Sequence, residues 1–311
     1  LMRAQWQTLR ALARRAREGF VKPNSARFAP LVLNGRTFAS KVAFAGGMAI
    51  IAGHGVQTYG ACSVASCSFQ HDVHAEKKAG EKRLSKQIID AVYTGTDSYG
   101  SISEEEEEEI LESGGHWAYG EIEMDGFQAL IEYMSMDSNS VFCDLGSGLG
   151  KSVAFAFMSS ECKCAIGVEL SATRHNQAKA AAERLVKVIN LLRQDDAASA
   201  WLQEQQGCNT PTMMMRWGSK EMQLVHADCN KISMERTTHV YMANLTWPEA
   251  IVDEIGHKLD SNPSVKMVAS LKRISEKRLR RLRQCDVLYL PMSWQDRNTV
   301  SYGVPVYIYS V

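Results

Sequence analysis

Val141-Phe142-Cys143-Asp144-Leu145-Gly146-Ser147-Gly148-Leu149-Gly150 runs from apolar, β-prone residues into an acid, then into a turn with glycine at every second position. An apolar, helix-compatible run, Ser152 to Met158, follows it. The pattern predicts a buried parallel strand, a tight turn and the first turn of a helix. Glycines in such a turn let the backbone come close to a ligand and present N–H groups at the positive end of a helix. The spacing is G-x-G-x-G, and Lys151 stands where a dinucleotide fingerprint carries its third glycine. A second apolar run, Cys164-Ala165-Ile166-Gly167-Val168-Glu169, also ends in an acid. It lies about 20 residues past the glycines, where an acid grips ribose hydroxyls in nucleoside-binding βαβ units. Asp144 and Glu169 are therefore expected at the carboxyl ends of adjacent parallel strands. Without a third glycine or a P-loop lysine pattern, the ligand expected is S-adenosylmethionine. It has an adenosine but no phosphate, and its sulfonium and ammonium groups favour carboxylates over an anion nest.

A chain of 311 residues is long enough for a full core in one or two domains. Its 45% apolar and 23% charged residues are ordinary for a globular protein. Net charge is zero but unevenly spread: residues 1–42 carry nine Arg/Lys against Glu18, and 272–283 carry seven against Glu276. Such patches point to a localised anionic partner. The eight cysteines lack disulfide-scaffold density, and Cys143, Cys164 and Cys285 sit in or beside strand-like runs as reduced core residues would. The longest apolar stretch, 42–53, has three glycines and is too short to span a bilayer. Basic helical residues open the chain without a signal-peptide core, which predicts an intracellular protein, and the Leu before Met2 reads as a tag remnant.

Residues 3–18 read as a basic helix, with Trp6, Leu9 and Leu12 on one face. Its Arg10, Arg14, Arg15 and Arg17 suit DNA phosphates and suit a solvated face equally well. Cys62, Cys67, His71 and His74 have the residue types of a zinc site, but the spacing departs from that of zinc fingers. A small-residue loop is the better reading, and no metal is assigned. Residues 82–93 have helical apolar spacing, and Ser103 ahead of Glu104–Glu109 reads as an N-capped, acid-rich helix. That acid run is expected to be a solvated helix or loop, with a basic histone or an intramolecular partner as the lesser reading. Further helices are expected at 124–134, 172–192 and after Pro248. Residues 195–220 read as a frayed helix end and a loop, and strands are expected at 222–227, 238–245, 265–271, 286–292 and 304–309. The sum is a class I methyltransferase-type α/β fold: a seven-stranded, mostly parallel sheet with helices between its first five strands and an antiparallel finish. A catalytic domain is expected over 101–311, after a basic, mainly helical and irregular region over 1–100.

Several separated motifs converge on one family. Tyr119-Gly120-Glu121, the turn 144–150, Gly167-Val168-Glu169, Asn244-x-x-Trp247-Pro248-Glu249 and Ser293-Trp294 resemble the non-SET histone lysine methyltransferases, the disruptor-of-telomeric-silencing proteins. The resemblance covers roughly residues 115–311. It implies S-adenosylmethionine as cofactor and a lysine on the globular face of histone H3 in the nucleosome as substrate, with a monomer acting in the nucleus. By the same resemblance, Tyr119, Gly120 and Glu121 match the methionyl-binding loop. Asp144, Gly146, Ser147, Gly148, Gly150 and Lys151 match the glycine turn, Glu169 the ribose acid, and Asp228 with Cys229 the adenine edge. Asn244 matches the asparagine near the methyl group, and Trp247 and Trp294 match walls of the lysine channel. Tyr302, Tyr307 or Tyr309 matches the tyrosine that closes that channel, Tyr307 being favoured. Arg278, Arg280 and Arg281 resemble in position a loop that meets the acidic histone surface, against the reading of a solvated amphipathic helix. Ile122, Lys151, Cys229 and Leu245-Thr246 depart from the family pattern and suggest a diverged, protozoan branch.

Methyl transfer to an amine is an in-line displacement that needs alignment more than acid–base groups. A lysine, whose free pKa is about 10.4, must lose its proton to attack, and a dry aromatic channel favours the neutral amine. Two competing readings stand beside this one: a class I methyltransferase acting on another protein or a small molecule, and a chromatin-binding module that kept the fold without catalysis.

Overall fold

The computed structural model describes residues 32–33, 36–37, 80–97, 100–192, 199–205, 210–295 and 303–311. Residues 83–311 belong to one compact unit. Residues 17–82 belong to another, whose described strands are the antiparallel pair Val32–Leu33 and Arg36–Thr37. The basic helix expected at 3–18, with Arg10, Arg14, Arg15 and Arg17, and the quartet Cys62, Cys67, His71 and His74 lie outside the described residues.

The compact unit carries strands β1 (Val141–Leu145), β2 (Cys164–Glu169), β3 (Trp201–Gln205), β4 (Thr212–Trp217), β5 (Lys220–His226), β6 (His239–Met242), β7 (Met267–Ser270), β8 (Arg283–Leu290) and β9 (Val304–Ser310). Its helices are α1 (80–93, which belongs to this unit from residue 83), α2 (Glu104–Glu112), α3 (Met124–Met134), α4 (Lys151–Ser159), α5 (Ala172–Leu192) and α6 (Glu249–Ser261). The strands form one sheet in the order β8-β9-β7-β6-β1-β2-β5-β4-β3. β5, β2, β1, β6 and β7 are mutually parallel, and β9 pairs antiparallel with both β7 and β8. The chain therefore has the class I methyltransferase-type α/β fold, with the antiparallel finish expected of its last two strands.

β1 is buried along its whole length, as the central strand of a parallel sheet covered on both faces must be. Strand alternation sends Phe142 to a core with Phe127, Phe155 and Leu185, and Cys143 and Leu145 to a second core with Val252, Ile255 and Leu259 of α6. The sheet thus separates two apolar layers, and its middle strands deliver their carboxyl ends to the site.

Two features depart from expectation. The segment 195–220 is not only a loop, because β3 and β4 add two antiparallel strands at the β5 edge and raise the sheet from seven strands to nine. Met213 and Met215 pack into the first core. Neither the polar Trp-Leu-Gln-Glu-Gln nor the unbranched methionines carry a strong strand pattern, and pairing to an open sheet edge supplies what propensity lacks. In addition, no helix joins β5 to β6. Residues 227–238 form turns held by Lys258 Nζ, which donates to the carbonyls of Asn230 (2.9 Å) and Ile232 (2.5 Å). Among the described residues no helix is long and apolar enough to cross a membrane.

Candidate cofactor site

β1 and β2 end side by side, with Asp144 in register with Gly167, and the glycine turn folds back over them. Gly146 N and Ser147 N both donate to Val168 O, at 2.8 and 3.0 Å. Gly148 has φ +54°, and a Cβ there would overlap the Tyr119 ring, so the turn tolerates no side chain at this point. Tyr93 of α1 donates its hydroxyl to Leu149 O at 2.9 Å and pins the turn from behind.

Glu169 is 7% exposed, and its two oxygens accept from Gly148 N (2.6 Å) and Ser171 N (2.8 Å). Burial pushes its carboxyl above the usual range against these bonds. Asp144 is 2% exposed; Ser152 donates to Oδ2, while Oδ1 has no partner. Burial pushes Asp144 up to about 7, reinforced by the nearby charges of Glu169 and Glu121. Next to it, in register on β6, the Tyr241 hydroxyl is also buried without a partner. Asn244, just past β6, is fully buried. Its Oδ1 accepts from Ser270 Oγ (3.0 Å) and Lys272 N (3.1 Å), leaving Nδ2 unpartnered. Buried polar atoms are rarely left unpaired, so orphans grouped at the strand ends mark a place built for a ligand.

Two clefts meet at this point. The larger is lined by Gly146, Gly148, Glu169, Asp228, Cys229 and Trp247, and closed on one side by Ile110 and 113–116. The smaller holds Asp144, Ser147, Lys151 and Tyr241. Tyr119 and Gly120 line both. The loop carrying them is fixed on both sides. Ser293 N donates to Glu121 O (2.8 Å), Glu121 N to Ser293 Oγ (3.0 Å), and Ile122 bridges to Met292. Within the loop the Tyr119 hydroxyl donates to Glu121, whose other oxygen lies 3.5 Å from Lys151 Nζ. Burial, together with the Glu121 charge, holds Tyr119 protonated. Asp228 accepts from Asn230 N at 2.9 Å, and burial pushes the Cys229 thiol up to about 12, far from thiolate chemistry.

Trp247 packs beside Gly146, but Trp294 is 45% exposed, stands over Gly120, and lines a separate groove with Lys151 and Ser293. The two tryptophans therefore share the 119–120 loop without forming one wall. Tyr307 is not brought to either cleft. Alternation along β9 sends Tyr307 and Tyr309 toward the α6 side, where Arg273 lies 5.0 Å over the Tyr307 ring and the Tyr309 hydroxyl accepts from Ile274 N. Tyr302 lies outside the described residues. The basic run holds only the short turn Glu276–Arg278, a loop and not the solvated amphipathic helix of the competing reading. The Arg281 guanidinium is taken by the carbonyls of Asp260, Asn262, Pro263 and Val265, so it is a brace and not a free contact. Arg280 is exposed; the side chain of Arg278 lies outside the described residues.

Arg174 and Glu106 carry no motif that marks them in the sequence. Arg174, 5% exposed, donates from Nε to Gly100 O (2.8 Å) and from Nη2 to Trp117 O (2.5 Å), with its guanidinium 5.0 Å over the Tyr119 ring. Its one sequence signal is an arginine on the first turn of a helix after a site acid. Glu106 turns from the acid run onto the first turn of α5, so the lesser reading of that run, an intramolecular partner, describes this residue.

Residues 102–206 match the family model for "Histone methylation protein DOT1". This segment is similar to a DOT1-class domain. It spans α2, the Tyr119–Glu121 loop, the glycine turn and Glu169, which line one part of the larger cleft; Asp228, Cys229 and Trp247 lie beyond it. No curated protein matches the chain. Among solved structures it is similar to an RNA methyltransferase from Salinibacter ruber crystallised with S-adenosyl-L-homocysteine, at 16% identity and TM-score 0.36 over 61% of this chain and 92% of that one. It is also similar to the B. subtilis m1A22 tRNA methyltransferase TrmK, at 14% identity and TM-score 0.37 over 61% and 68%.

Proposed function

We propose that the chain transfers a methyl group from S-adenosylmethionine to a lysine on the globular core of histone H3 in the nucleosome, within the nucleus. Residues 101–311 serve as the catalytic domain and 1–100 as an accessory region. The observation that carries the cofactor reading is the set of orphaned buried atoms, Asp144 Oδ1, Tyr241 OH and Asn244 Nδ2, beside a turn that admits no Cβ at Gly148. The donor set fits that cofactor. The carboxylates of Asp144, Glu169, Glu121 and Asp228 outnumber the cations of Lys151 and Arg174 around the clefts, which suits a cation bearing a nucleoside.

When bound, S-adenosylmethionine supplies an electrophilic methyl on a sulfonium. Glu169 would take the ribose hydroxyls, Asp228 the adenine edge, and the Tyr119–Glu121 loop with Asp144 the charged amino-acid end. Asn244 would orient groups near the transferring methyl while its Oδ1 keeps the 270–272 turn in place. Trp247, packed against Gly146, would exclude water from the entering amine and so favour its neutral form. None of these residues needs to accept a proton in the transfer, because alignment carries the rate.

The histone assignment is supported by the DOT1-class segment. A second reading, the same chemistry on another protein, is favoured by Arg281, which is engaged with the backbone and not free to meet a histone surface. Mass spectrometry of recombinant nucleosomes, free histone H3 and H3 peptide incubated with the protein and cofactor separates the two. Modification confined to nucleosomes supports the first, whereas equal modification of peptide, or none on any histone, removes it.

A further inference from the structure

Glu106 sits inside a run of six glutamates, yet its carboxylate is committed. Oε1 accepts from Ser171 Oγ at 2.6 Å and from Thr173 N at 3.0 Å, and Oε2 accepts from Thr173 Oγ1 at 2.5 Å. Ser103 Oγ accepts from Glu106 N at 3.3 Å and caps α2, which fixes the point from which the side chain reaches out. Burial alone would raise this carboxyl, but the bonds from Ser171 and Thr173 together hold it below the ordinary range, so it stays ionised at neutral pH. The next link is Ser171, which is fully buried. Its backbone N–H donates to Glu169 Oε1 at 2.8 Å, and its hydroxyl accepts from Arg174 N at 3.1 Å while donating to Glu106. Glu169 Oε2 in turn receives Gly148 N at 2.6 Å. The hydrogen bonds therefore run without a gap from the glutamate helix to the glycine turn.

We propose that Glu106 is a positioning residue for Glu169: through Ser171 it sets the rotation of the carboxylate that takes the ribose. The inference rests on the cofactor reading above. Glu169 has two oxygens to divide between protein and ligand. Which lone pairs remain for a ligand depends on where the Ser171 N–H points, and that residue is oriented by the Glu106 carboxylate. A charged acceptor makes the tether short and directional in a way that a neutral one does not. The hydrogen bonds from Ser171 and Thr173 converge on Glu106 alone of the six glutamates. The role therefore belongs to position 106 and not to the charge of the run.

The test is a double-mutant cycle read by calorimetry with S-adenosylhomocysteine, on the full chain, for the wild type, Glu106→Ala, Glu106→Gln, Glu169→Gln and the Glu106→Ala/Glu169→Gln pair. Glu106→Ala should weaken binding roughly tenfold, the scale of one charge-assisted hydrogen bond. Glu106→Gln, which keeps a neutral acceptor for Ser171, should recover about half of that in free energy. In turnover the loss should fall on KM for the cofactor and leave kcat at saturation unchanged. In the Glu169→Gln background the effect of Glu106→Ala should vanish, since a residue acting through Glu169 has nothing left to position. A full tenfold loss in that background, or wild-type affinity in Glu106→Ala, overturns the proposal. Should Glu106→Ala melt below the assay temperature, Ser171→Ala replaces it in the same cycle, and the same two results overturn the proposal. A wild-type chain that binds no S-adenosylhomocysteine removes the cofactor reading, and this inference with it.

Discussion

Two buried aspartates differ in how much of their hydrogen-bonding capacity the chain itself fills. Asp144 and Asp260 are each 2% exposed. Asp260, at the end of α6, has both oxygens filled by backbone donors: Arg281 N (2.8 Å) and Leu282 N (2.7 Å) on Oδ1, and Arg280 N (2.7 Å) on Oδ2. Burial works against its ionised form, but those three N–H bonds and the Arg281 charge outweigh it and hold the carboxyl low. Asp144 has one hydroxyl donor and one empty oxygen, and burial pushes it up to about 7. At equal solvent exposure the two carboxyls shift in opposite directions, Asp144 being both the more deeply buried and the less hydrogen-bonded of the two. An acid whose lone pairs are filled by its own chain is part of the scaffold, and an acid left short beside other orphaned atoms keeps capacity for a ligand, the role proposed for Asp144.

The comparison can be broken in several places. The largest expected effect is from Gly148→Ala, where the added Cβ meets Tyr119 in a left-handed backbone. Loss of kcat/KM by at least about 100-fold in a methyl-transfer assay, about 2.7 kcal/mol, is expected with the fold retained by circular dichroism. Asp260→Ala comes next. It strands three backbone donors and should cost about 2–4 kcal/mol in urea unfolding, with cofactor affinity unchanged. Asp144→Asn should do the opposite, weakening cofactor binding about tenfold while leaving stability equal or up by about 1 kcal/mol, since a neutral amide is easier to bury. If both aspartate variants lose stability alike, the division into binding and bracing acids fails.

A smaller effect concerns pH. Asp144 rises from its ordinary 3.8 to about 7 on folding, so its contribution to stability is complete below 3.8 and is lost as pH rises through about 7. Affinity for a cationic cofactor runs the other way and increases through the same window, with proton uptake by buffer on binding at about pH 6. Subtracting the Asp144→Asn profile from wild type isolates both trends, and a wild-type profile that matches the variant's would contradict them. The smallest change is expected from Arg280→Ala, an exposed site at which stability should move by no more than about 0.5 kcal/mol. Nucleosome binding should weaken only if Arg280 touches the histone surface, which a gel-shift titration reads directly.

The parallel centre of the sheet, its order of acids and glycines, and the bounds of the helices at 124–134 and 172–192 were legible in the chain itself. Apolar runs ending in an acid, followed by glycines, admit few other local structures. Of the residues that the fold assembles around Gly148, Tyr119, Glu169 and Trp247 were legible as motif members, and Asp228 only through the family resemblance. What no local pattern could carry was the partnership of side chains distant in sequence. One glutamate in a row of six reaches 65 residues along the chain to Ser171. Arg281 turns inward because four carbonyls near the end of α6 face it. Tyr307 points to the other layer because a strand's alternation is set by the register of its neighbours and not by its own composition. Sequence specifies which groups are present and on which element. Only tertiary packing decides whose lone pairs are already filled and whose remain open to a ligand.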